Sequence, residues 1–185
     1  MQSLARVAMA AAVLYGLSAG SGFADEGTKV DCSQIDMKFS APGYEAKCTD
    51  FSDATIDVNG EATGARKTEQ ILAISNDTYL VAVDDRPLGS RIFIKRSGLE
   101  ENVERFFPNT RVTDWSPANS VAGFEVGEFT GGPANINQMN CIGFRRVVSH
   151  HLQGLGRVVV GISCSDQSVK HAYDALGKLA APGGG

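Results

Sequence analysis

The chain has 185 residues, of which 43% are hydrophobic and 21% charged, and its formal charge is -4. That is ordinary globular usage, with enough apolar material for a core built without metals or dense cross-linking. The acidic balance excludes the basic face of a nucleic-acid binder, and no internal repeat, charge block or low-complexity tract interrupts the chain.

Residues 1–24 read as a signal peptide. Arg6 supplies a positive n-region, Val7–Leu17 an apolar h-region, and Gly22-Phe23-Ala24 a small-residue site with cleavage expected after Ala24. The apolar run is shorter than the roughly 20 residues a membrane span needs, so no stable membrane anchor is expected after cleavage. Loss of Arg6 takes the formal charge of the mature chain from -4 to about -5. Residues 25–182 read as one domain and 183–185 as a flexible tail.

All four cysteines lie in the mature part: Cys32, Cys48, Cys141 and Cys164. An even count in an exported chain points to disulfides. Three pairings are open to four cysteines, and the sequence does not choose among them. Cys32–Cys48 and Cys141–Cys164 are the expected pairs because each brackets a candidate hairpin. No two cysteines have the C-x-x-C spacing of a zinc or redox site.

Asp36–Ser40 and Glu45–Phe51, separated by a Pro-Gly turn, read as a first hairpin. Ala54–Val58, Asn59-Gly60 and Glu61–Ala65 read as a second, since Asn-Gly suits the positive φ angles of a type I′ turn. Arg66–Ser75 is ambiguous by composition and reads as a strand, turning at Asn76-Asp77 into the strand Thr78–Val83. Asp84–Ser90 reads as a charged loop whose adjacent acids serve solubility. Arg91–Arg96 reads as a short strand or a helical turn. Ser97 and Glu100 form a capping box for a helix carrying Leu99, Val103, Phe106 and Phe107, which Pro108 ends. Trp115 reads as a loop or lid residue and Gly123–Thr130 as a strand, with Gly131–Asn137 a connector. Cys141–Ser149 and Arg157–Cys164 flank a Gly-bearing turn and make the central hairpin. A last helix capped by Ser165 or Asp166 carries an apolar stripe of Val169, Ala172, Tyr173, Leu176 and Leu179.

The expected fold is α+β: a single antiparallel sheet built from hairpins, with the mid-chain helix and the C-terminal amphipathic helix packed on one face. Regular strand–helix alternation, the mark of a parallel sheet, is missing. The element order resembles that of small α+β domains of the PsbP/Mog1 type. The resemblance implies such a fold and nothing about activity.

No nucleophile elbow, phosphate loop or dinucleotide fingerprint occurs. The one cluster with chemical potential lies on the central hairpin: Arg145, Arg146, His150, His151 and Arg157. Arginines and imidazoles gathered near its loop would hold an anion, or a metal through imidazole. Adjacent strand residues point to opposite faces, however, so Arg145 and Arg146 diverge. The expectation is therefore an exported, disulfide-stapled, non-catalytic envelope protein that binds a partner protein or small ligand. No cofactor, resident metal or nucleic acid is expected. Its place is the periplasm in a Gram-negative source and the exterior otherwise. The alternative is a hydrolase or metal-dependent enzyme built on the His150/His151 hairpin.

Overall fold

A computed structural model describes residues 27–51, 57–58, 61–62, 65–88, 94–133 and 138–183. The expected leader (1–24), the Asn59-Gly60 turn, most of the expected connector before the central hairpin and the end of the tail lie outside them. Strand β7 (Thr78–Leu88) organises the rest. Its apolar run is buried on both sides, and alternation splits it between two cores. Tyr79, Val81 and Val83 face one core, and Leu80 and Ala82 face the other.

On one side of β7 stand β6 (Ala65–Ile74), β3 (Glu45–Asp50) and the short edge strand β1 (Thr28–Val30). On the other stand β11 (Gly154–Ser165), β10 (Met139–His151), β9 (Phe124–Pro133) and the edge strand β8 (Thr110–Val121). These eight strands form one sheet in the order β1-β3-β6-β7-β11-β10-β9-β8, and every pairing is antiparallel. A second small pairing joins β2 (Lys38–Phe39) to β12 (Leu179–Ala180), and a third joins β4 (Asp57–Val58) to β5 (Glu61–Ala62).

Helix α1 (Leu99–Phe106) packs on the face of Tyr79, Val81 and Val83. Helix α2 (Val169–Leu176) packs on the opposite face, against Leu80, Ala82, Phe144 and Val159. The α+β expectation with both helices on one face is thereby corrected. The described residues are 60% strand and 12% helix, and the two helices flank a large sheet, one on each face.

The strands outgrow the expected bounds for a physical reason. Neighbouring ladders supply backbone partners where local composition suggests a loop. Asp84–Leu88 continues β7, paired with both β6 and β11 as far as Asp85. Trp115 lies within β8, and Gly131–Pro133 within β9. The first expected hairpin does not form: β3 pairs with β1 and β6, while β2 crosses to β12. The Asp57–Val58 and Glu61–Ala62 pairing agrees with the second.

The β8–β9 hairpin turns on Ala122 (φ 51°) and Gly123 (φ 79°), two consecutive left-handed residues that fit a type I′ turn. The capping box is not made. The N-cap of α1 is Gly98, and the Ser97 hydroxyl instead accepts from Asn102 Nδ2. Leu179 has left the last helix for β12.

Both expected disulfides are present. Cys32–Cys48 joins the segment before β2 to β3, with Cα atoms 5.2 Å apart. Cys141–Cys164 joins directly opposed residues of β10 and β11, with Cα atoms 4.1 Å apart. Closing loops of 16 and 23 residues stabilises the fold by about 3 kcal/mol each on the loop-entropy model.

Candidate functional site

The densest chemistry lies where β6, β7 and β11 end together, away from α2. The register from the Asn76-Asp77 turn sets Glu69 opposite Asp84 and Thr68 opposite Asp85. On the other side of β7, Val159 and Val158 stand opposite the same two acids. Asp84 and Asp85 are thus central-strand residues, 2% and 0% exposed, and not solubilising loop residues. Buried carboxylates survive only when paired, and alternation sends the two to opposite faces.

On the α1 face Asp85 takes a fork from Arg66, with Nε donating to Oδ1 at 2.6 Å and a second bond from Nη2 to Oδ2. The fork holds the Arg66 pKa above its ordinary value despite partial burial. On the α2 face Arg157 makes the same fork to Asp84, with Nε donating to Oδ1 at 2.9 Å and Nη2 to Oδ2. Its Nη2 also reaches Asp36 Oδ2 at 2.6 Å, and Arg86 donates to the same oxygen. Burial disfavours the Arg157 charge, but the bonds to Asp84 and Asp36 outweigh it and its pKa is raised. The bond from Arg157 is the main cause that holds the Asp36 carboxyl below the usual carboxylate range, and Arg86 adds to it. Glu69, 2% exposed, pairs with Lys67 and accepts the Asp36 backbone N–H at 3.0 Å.

Asp36, Glu69 and Asp84 bring carboxylate oxygens within 4.8 Å of one another, the spacing of a cation site. Here Arg157, Arg86 and Lys67 supply three cations to the three acids. Chemically the cluster is a charge-balanced clamp. It fastens the segment before β2, through Asp36, to β6, β7 and β11.

The hairpin group expected from the sequence is dispersed. Arg145 lies on the α1 side, where it donates to Glu125 and to the backbone carbonyl of Ser97. Arg146 lies on the other side, near Gly123. A register shift between Val147 and His150 marks a bulge, and beyond it His150 is exposed. The His151 side chain lies outside the described residues. Arg157 alone enters a cluster, with acids that the hairpin does not contain. His171 is exposed on α2. The acids were legible in principle: extending the β6–β7 register seven residues beyond the Asn76-Asp77 turn pairs Glu69 with Asp84. Asp36, 33 residues from Glu69 in sequence, left no such signal.

No protein-family profile matches the chain, and no curated protein or solved structure is significantly similar to it. Among the described residues no helix is long and apolar enough to cross a membrane. The two disulfides indicate an oxidising, exported environment.

Proposed function

We propose that this chain is a non-catalytic envelope protein, exported by its N-terminal leader and stapled by two disulfides, that binds a partner protein or small ligand. The observation that carries the reading is the pairing of its buried charge. Asp84, Asp85 and Glu69 each lie against a cation, and Asp36 is shared between two arginines. A general base or nucleophile needs a free, positioned group. These acids are instead committed to holding the fold. The dispersal of Arg145, Arg146 and Arg157 and the exposure of His150 favour binding over the hydrolase or metal-enzyme alternative.

Native mass spectrometry of the gently purified mature protein, with and without chelator, tests this. The expected spectrum is unchanged by chelator, and any extra mass is a carried ligand or partner. A chelator-labile mass that disappears in a His150→Ala/His151→Ala variant would overturn the reading in favour of the metal enzyme.

A further inference from the structure

Residues 31–39 form a strap over the core on the α2 face. Its turn is wound on itself: Asp31 Oδ1 accepts the Ser33 N–H at 2.8 Å, and Lys38 Nζ donates to the carbonyls of Cys32, Ser33 and Ile35. Ile35 (2% exposed) and Met37 (0%) enter the core that α2 covers, together with Ile71, Ala73, Leu176 and Leu179. Besides these two buried side chains, three things hold the strap down: the Asp36 clamp, two residues of β2–β12 pairing, and Cys32–Cys48.

The two disulfides stand in opposite surroundings. Cys141 and Cys164 are 0% exposed in the middle of the sheet, beneath the layer that contains α1. Cys48 is buried at 3%, but Cys32 is only half-buried and sits on the strap itself. Thiol–disulfide exchange needs a thiolate to reach one sulfur, so access decides which bond reacts in the native state.

We propose that Cys32–Cys48 is a redox latch on this strap, opened by an external dithiol while Cys141–Cys164 stays closed. One thiolate of the dithiol attacks Cys32 Sγ, and the S–S bond breaks with Cys48 leaving as thiolate. The second thiol of the reductant then resolves the mixed disulfide. The reductant gives up two electrons and two protons and ends as a disulfide, and the protein gains two thiols. With the latch open, the strap keeps, among the described residues, the clamp, its two buried side chains and the short β2 pairing. It becomes a local opening unit separate from the main sheet.

The test is a dithiothreitol titration of the mature protein, with alkylation mapped by mass spectrometry and amide exchange followed in parallel. Cys32 and Cys48 should be alkylated at reductant levels that leave Cys141 and Cys164 bonded. Amides of residues 35–39 should then exchange at least tenfold faster, with β10 and β11 unchanged. A Cys32→Ser/Cys48→Ser variant, which carries no alkyl adduct, should show the same exchange pattern without reductant. Joint reduction of both pairs, earlier reduction of Cys141–Cys164, or no reduction short of global unfolding overturns the proposal. So does a strap that stays protected in the double variant.

Discussion

Arg157 neutralises a buried acid on the central strand and the Asp36 anchor of the strap together. Removing one partner of a buried pair leaves an uncompensated charge, at about 3–5 kcal/mol. Arg157→Ala should therefore lower stability to urea by about that amount, whereas Arg157→Met combined with Asp84→Leu should recover most of the loss. Asp36 adds a pH dependence. Its folded pKa lies below the usual 3.8, so its contribution is complete only well above that value and is lost as pH falls towards and through the folded value. The urea midpoint should drop between pH 5 and pH 2.5, and Asp36→Asn, already weaker at pH 5, should drop less. At Ala122 a Cβ sits in a left-handed conformation that suits Asn or Gly. Ala122→Asn should raise stability by about 0.5–1 kcal/mol, read from the shift in melting temperature. Tyr79 is the opposite case: its hydroxyl is buried with no hydrogen-bond partner among the described residues, and burial raises its pKa. Tyr79→Phe should leave the melting temperature unchanged or raise it.

At the scale of elements, the alternating apolar runs were legible in the sequence, and what surrounds them was not. TYLVAV reads as a strand from composition alone, and β6, β9, β10 and β11 follow from alternation and turn residues. The continuation of β7 through Asp84 and Asp85 did not, because the acids are tolerated only through Arg66 and Arg157, which lie 19 and 73 residues away from their partners in sequence. The place of Trp115 within a strand is hidden from the sequence for a similar reason. Its ring lies on the cross-strand pair Gly127 and Gly143 and stacks on Phe129 with centroids 5.7 Å apart, so a strand residue followed by Ser-Pro is held by glycines on two other strands. A Cβ at Gly143 would meet Trp115 and Val103. Gly143→Val should displace the ring and red-shift the emission of the chain's one tryptophan. Edge strand β8 carries Pro117, a left-handed Asp114 and two register shifts. These features blunt an edge against pairing with other chains.

For the whole molecule, the staples were the part best read from sequence: of the three pairings open to four cysteines, the expected one is realised. The layer arrangement was not legible, because the choice of face for each helix depends on which alternate residues of a doubly buried sheet it meets. The two cores are separated by the sheet and pinned by different devices. Cys141–Cys164 joins the central strands on the α1 side, and the Asp36 clamp and Cys32–Cys48 fasten the strap on the α2 side. Cys141→Ser should cost about 2–5 kcal/mol of stability in oxidising buffer. Export and stapling together are tested most directly by the intact mass of the chain recovered from the cell envelope, alkylated without reductant. The expected species begins at Asp25, takes up no alkyl groups, and is lighter by two hydrogens for each of its two disulfides. A full-length chain retained inside the cell, or a mature chain alkylated at any of its four cysteines, would contradict it.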